Sequence, residues 1–173
     1  DSVVCGAWRG SAGEAASVQE FPQIKEQTGQ KAATLVVGDS KEGWADAFVS
    51  ACKAWADGKD VEVDYSQIRE AGARLATMGG TASGPQPLKD LMIFAKQKIL
   101  ARQGRRLTNV DLHDIICEIG LIVVAGGVRR SALISLSDLE DKDMRDSKKG
   151  QFWMENGQRS MANNSAVYTQ KPT

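Results

Sequence analysis

The chain has 173 residues, 42% hydrophobic and 25% charged, a make-up with enough apolar material for a sizeable folded core. Its 22 basic and 22 acidic residues cancel, which excludes a global field able to hold a nucleic-acid backbone or an anionic membrane, so any anion must be bound locally. Cys5, Cys52 and Cys117 form an odd set without a C-x-x-C pair and fit reduced thiols of a cytoplasmic protein, and no apolar run approaches the roughly 18 residues of a membrane span.

In chain order, residues 1–33 are rich in Gly, Ala, Ser, Gln and Glu and stay unassigned apart from a short β-like start at Val3-Val4-Cys5. A strand is predicted over 34–37. Asp39 with Glu42 three residues on has the form of a capping box, opening a helix over about 41–57 whose Trp44, Phe48, Cys52 and Trp55 share one face. Gly58 ends that helix, and the alternation Val61-Glu62-Val63-Asp64 predicts a strand over 61–64. The glycine-rich loop Met78 to Pro85 then leaves backbone N–H groups available to a ligand. Pro87 opens a second helix over about 87–103.

Thr108 and Asp111 form another capping pair, for a helix over about 109–124. Its stripe of Leu112, Ile115, Ile116, Ile119, Ile122 and Val123 makes it the helix expected to be most buried. It leads into Gly126-Gly127-Val128-Arg129-Arg130-Ser131 and a strand over 132–136. Ser137 with Glu140 is expected to cap a charged, solvent-facing helix over 138–148, and Met161 to Tyr168 reads as a polar turn feeding a strand over 166–168. Helices alternating with short strands predict an α/β layered or barrel arrangement. The chain begins with Asp1 and stops just after an apolar segment, the expected look of an excerpt from something longer.

Two loops bear on chemistry. In Gly126 to Ser131, the glycines allow close approach of a ligand, and Arg129 and Arg130 offer forks of donors suited to phosphate or a base edge. On these residues alone the loop is equally a helix-to-strand connection with solvated arginines. Gly79 to Pro85 follows neither the GxGxxG nor the Walker pattern. His113 and Cys117, four apart on one helix, share a face, but zinc wants four ligands and no second pair completes the set. The preferred reading is a buried free thiol beside a partly exposed imidazole, with no metal site. No base can be assigned to Cys5, and Arg102, Arg105 and Arg106 read as a solvated helix end.

Five ordered segments carry a family resemblance. Asp39-Ser40-Lys41-Glu42-Gly43-Trp44 matches a D-[ST]-x-E-G-W segment, and Gly79-Gly80-Thr81-Ala82-Ser83-Gly84-Pro85 with Pro87-Leu88 matches a GGTASGPxPL loop. Gly104 to Thr108, Val123 to Ala132 and Ala162-Asn163-Asn164-Ser165 follow in order. Together they resemble the class II, adenosylcobalamin-dependent ribonucleotide reductases, particularly the monomeric type acting on ribonucleoside triphosphates. The matches span Val36 to Val167.

The resemblance implies that residues 34–173 form part of the family's ten-stranded α/β barrel, which surrounds a radical cysteine. It implies that Gly126, Gly127, Val128, Arg129, Arg130 and Ser131 form the substrate-specificity loop. Gly79, Gly80, Thr81, Ala82, Ser83 and Gly84 would form a wall near the barrel mouth, and Asn163, Asn164 and Ser165 an interior strand start. Adenosylcobalamin, a ribonucleoside triphosphate substrate, a deoxynucleotide effector and a thioredoxin-like reductant follow for the complete enzyme. The family's radical and redox cysteines lie outside the matched segment, and Cys5, Cys52 and Cys117 match none of them, so no catalytic residue is expected here. The segment alone is expected to be inactive and, with barrel edges unpaired, weakly folded or associating. The alternative is a stand-alone nucleotide-binding or regulatory module.

Overall fold

A computed structural model describes residues 11–12, 22–75, 80–125 and 133–168. The loop Gly126 to Ser131 and Gly79 lie outside the described residues. The fold is α/β, with parallel strands in two sheets. Strand β1 (Ser11–Ala12) pairs with β4 (Leu133–Asp138), which pairs in turn with β5 (Ala162–Val167); β2 (Leu35–Val36) pairs with β3 (Val63–Asp64). Among the described residues, no helix is long and apolar enough to cross a membrane.

Helix α1 (Lys41–Ala56) starts one residue later in its capping logic than expected. Ser40, not Asp39, is the cap: its Oγ accepts the Gly43 N–H at 2.9 Å, while Asp39 turns away to meet Arg69 Nε at 2.6 Å. Gly43 has a packing reason as well, since a Cβ there would stand 2.7 Å from the Gly38 carbonyl oxygen. Trp55 is buried, and Trp44, Phe48 and Cys52 pack half-buried against the same core, as their helical spacing predicts.

Helix α2 (Gln86–Leu100) packs on α1 through Leu88, Leu91, Met92, Ala95 and Ile99. It ends three residues before the expected Gln103, because the chain turns at Gly104, with φ +74°, and the Gly104 N–H donates to the Ile24 carbonyl at 2.8 Å. Residues from 22 onward, which the sequence left unassigned, thread between the ends of α1 and α2 and bury Ile24 in the core. Helix α3 (Asn109–Ala125) carries the expected capping pair: Thr108 Oγ1 accepts the Asp111 N–H, and Asp111 accepts the Thr108 N–H at 2.9 Å.

The expected helix over 138–148 is corrected. Strand β4 runs on to Asp138, because β5 pairs with it residue for residue from Leu133↔Ala162 to Asp138↔Val167 and gives its backbone a ladder. Ser137 is therefore a buried strand residue rather than a cap. The helix that remains, α4 (Lys142–Asp146), is one short turn capped by Asp141, whose carboxylate accepts the Met144 N–H at 3.0 Å. The expected strand over 166–168 is likewise corrected. Asn163 to Ser165 are not a turn before it but lie inside β5, the polar character being set by side chains while the backbone is satisfied by β4. Between these strands lie α5 (Phe152–Glu155) and a 3-10 turn over Gly157–Met161 that packs against α3.

Candidate functional site

Helix α3 buries Ile115 and Cys117 and packs Leu112, Ile119 and Ile122 against the core, as its apolar stripe predicts. It also buries polar residues that the stripe did not announce: Asp111 is 5% exposed, His113 6% and Asp114 0%. Each is tied to a different element. Asp114 receives Arg159 Nε and Nη2, at 2.6 and 2.9 Å, and Lys98 Nζ at 2.7 Å. Burial alone would raise its pKa, but the Arg159 fork and Lys98 outweigh it and hold the carboxyl well below the usual range. Asp111 receives Arg102 Nε at 2.7 Å, which corrects the expectation that Arg102 is merely solvated.

The imidazole of His113 is buried, not partly exposed, and its Nε2 lies 3.0 Å from Asn164 Oδ1. Cys117 Sγ sits 3.7 and 3.9 Å from the two ring nitrogens, nearly equidistant, the position of an atom packed on the ring rather than of a linear partner. Burial pushes the Cys117 and Cys52 thiols up to about 12, so neither is a ready nucleophile. Among the described residues, no group of three or more His, Cys, Asp and Glu side chains is gathered to hold a metal ion.

The ion pairs also set direction. Lys98 meets Asp114 and Arg102 meets Asp111, so α2 and α3 run antiparallel. The start of α2 therefore lies beside the end of α3, bringing Gly80 to Gly84 and Ala125, where the 126–131 loop departs, to the same end of the helix pair. Strand β4 starts there too, for Leu133 packs within 3.4 Å of where a Gly120 side chain would begin. Ala162 and Asn163, paired with Leu133 and Ile134, complete the gathering. Sequence reasoning singled out these segments; the antiparallel pairing, set by long-range ion pairs, is what brings their ends together.

The sheet has two unlike faces. Leu133, Ser135 and Ser137 point toward α3, with Asn164 beside them. Ile134, Leu136, Asn163, Ser165 and Val167 point the other way, and Asn163 and Ser165 are exposed, as are Ile134 at 37% and Val167 at 45%. This open face mixes apolar area with amide and hydroxyl groups. Along the β5 edge lies a cavity of about 470 Å³, lined among others by Arg145, Ser147, Lys148, Asn163 and Ser165. Lys148 Nζ there donates to the Ala162 carbonyl.

The glycine loop is less available than expected. Its Ala82 N–H donates to the Ala73 carbonyl at 2.7 Å, and its Gly80 and Ala82 carbonyls accept from Leu75 and Gly72, making a short antiparallel tie. Gly84 has φ +74°, and a Cβ there would lie 3.0 Å from the Ala71 nitrogen, so glycine is required by both conformation and space. A second cavity, of about 530 Å³, opens beside this loop between β3 and the start of α2, with Glu62, Asp64, Tyr65 and Lys89 in its wall. No sequence pattern announced it, because its residues come from three separate segments.

Residues 9–100 match the family described as "B12-dependent ribonucleotide reductase, insertion domain". An adenosylcobalamin-dependent ribonucleoside-triphosphate reductase of Lacticaseibacillus paracasei is 37% identical over 153 residues, 84% of this chain and 20% of that protein. One of Euglena gracilis is 37% identical over 115 residues, 66% of this chain and 16% of that protein. The chain thus spans at most about a fifth of these curated relatives. A crystal structure of a B12-dependent (class II) ribonucleotide reductase has the same fold over 91% of this chain and 26% of its own, with TM-score 0.76 and 24% identity.

Proposed function

This chain belongs to the B12-dependent ribonucleotide reductases, and from that membership we propose that it is the nucleotide-recognising segment of an adenosylcobalamin-dependent ribonucleoside-triphosphate reductase. The observation that carries the reading is the convergence at one end of the α2–α3 pair: Gly80 to Gly84, the departure point of the 126–131 loop, and the start of the open β4–β5 face. A nucleoside triphosphate needs an apolar surface for base and ribose, hydrogen-bonding groups for its hydroxyls, and cations for phosphate. Ile134 and Leu136 with Asn163 and Ser165 offer the first two on one face, and Arg145 and Lys148 line the cavity at its edge.

In this reading Gly126, Gly127, Val128, Arg129, Arg130 and Ser131 act as the specificity loop, with the two arginine forks sensing the base. Gly79 to Gly84 serve as the wall of the barrel mouth, and Asn163 to Ser165 as an interior strand of a ten-stranded α/β barrel whose other strands lie elsewhere in the complete protein. A deoxynucleotide effector and a thioredoxin-like reductant act on that complete protein.

Adenosylcobalamin supplies the radical initiator in such chemistry. The described residues do not fit it: cavities of about 530 and 470 Å³ suit a drug-sized ligand, not a corrin with its adenosyl group, and burial pushes up the thiols of both described cysteines, the half-buried Cys52 and the buried Cys117. The segment's part is binding and orientation.

The test uses the full-length protein with adenosylcobalamin, a dithiol and each of the four ribonucleoside triphosphates. Arg129→Ala is expected to change the ratio of products without changing cobalamin affinity; unchanged selectivity would overturn the assignment of the loop. The 173-residue chain alone is expected to form no deoxynucleotide, and measurable product would overturn its reading as a non-catalytic segment.

A further inference from the structure

The buried His113 has no part in the reading so far, yet its surroundings give it a defined orientation. Ser147 Oγ donates to the Met144 carbonyl at 2.6 Å, so its hydrogen is committed and it can only accept from Asn164 Nδ2, 3.0 Å away. That sets the Asn164 amide with Oδ1 toward the imidazole, and the 3.0 Å contact then requires a proton on His113 Nε2. A single directed chain runs from His113 through Asn164 and Ser147 to the Met144 carbonyl, joining α3, β5 and α4. The neighbouring Asp114 lies 4.0 Å from Nδ1 and has its oxygens engaged by Arg159 and Lys98, so Asn164 is the close polar partner of the ring.

Asn164 sits between Asn163 and Ser165, and strand alternation turns those two to the open face when Asn164 faces α3. Among the described residues β5 has a ladder partner on one side only. The tie to His113, out of the plane of the sheet, adds an anchor to the in-plane ladder with β4. The helix that supplies this anchor is the one that ends where the 126–131 loop begins.

We propose that His113 is a positioning residue for nucleotide recognition: by hydrogen-bonding Asn164 from behind the sheet, it sets how Asn163 and Ser165 present their polar groups on the open face. This rests on the reading of the open face as the nucleotide face. Nothing in the chemistry requires His113 to touch the ligand.

The experiment measures KM and kcat for ribonucleoside-triphosphate reduction in the full-length protein for His113→Leu, His113→Gln, Asn164→Ala and the double variant Asn163→Ala/Ser165→Ala. Leu fills the ring's space without a donor, whereas Gln can place an amide N–H near the Nε2 position. His113→Leu is expected to raise KM on the order of fivefold to tenfold, the worth of one net hydrogen bond, with kcat changed less than about twofold. His113→Gln is expected to return KM most of the way. Equal impairment in Leu and Gln variants would assign His113 to packing and overturn the proposal. An unchanged KM in His113→Leu, with a raised KM in Asn163→Ala/Ser165→Ala, would overturn the proposal and leave the open face standing. Unchanged KM in both would remove the face itself. If His113→Leu does not accumulate folded, the half-exposed Asn164→Ala serves in its place, with the same rise expected and an unchanged KM again overturning the proposal.

Discussion

The region from residue 22 to Leu107 and the region from Asn109 to Tyr168 solve burial in opposite ways. In the first, the buried side chains are Ile24, Val37, Trp55, Leu88 and their apolar neighbours; in the second, beside Ile115, Cys117, Met144 and Ala162, lie all seven of the buried polar residues among those described. Apolar burial is nondirectional and tolerates small shifts, while ion pairs and hydrogen bonds fix distance and angle. The polar core stands under the β4–β5 sheet, whose open face is the proposed nucleotide surface. A surface that must hold hydrogen-bonding groups in register is thus backed by directional contacts, and the helical layer that only needs bulk support is backed by hydrocarbon.

The largest test of that contrast is Asp114→Ala. It removes a carboxylate of zero side-chain exposure and leaves Arg159 and Lys98, 12% and 26% exposed, without their counter-charge, and the expected loss is about 3–5 kcal/mol. Native-state hydrogen exchange in the full-length protein should show the loss across residues 109–168 and much less across α1. Acid should mimic it in part. Because the folded Asp114 pKa is depressed, the stabilisation is present above the ordinary carboxylate pKa of about 3.9 and fades as pH falls below it toward the folded value. Asp114→Asn should flatten that acid limb.

In the apolar region, Leu88→Ala removes a side chain 1% exposed between α1 and α2 and is expected to cost about 2–5 kcal/mol, read by the same exchange measurement and centred on those helices. A loss spread equally into β4 and β5 would mean the two regions are one cooperative unit. Smaller still is Ser40→Ala, which removes the bond to the Gly43 N–H and should cost about 1 kcal/mol, with faster exchange in the first turn of α1 alone.

The same contrast decides what could be read from sequence. Helix α1 was legible to within a residue or two because Trp44, Phe48, Cys52 and Trp55 repeat at helical spacing, and α2 because Leu91, Met92, Ala95 and Ile99 do. The polar region was not. Ser137 with Glu140 mimics a capping box, but the ladder to β5, set by residues nearly thirty positions later, kept Ser137 in a strand. His113 reads as half-solvated until Asn164 arrives from β5, and Asp114, which no sequence pattern singled out, is buried by Arg159 and Lys98 closing on it from either side in sequence. Pairings across such separations leave no local period. The motif segments were legible as wording, while the end of the molecule where they gather depends on those same long-range pairs.

The account's central claim is that one end of the α2–α3 pair, with the open β4–β5 face, receives a nucleotide. Hydrogen exchange on the full-length protein with and without a saturating ribonucleoside triphosphate tests it most directly. Slowed exchange is predicted in residues 80–84, 126–131 and 162–167, with the α1 core unchanged. Those three segments exchanging at the same rate with and without the nucleotide would contradict it.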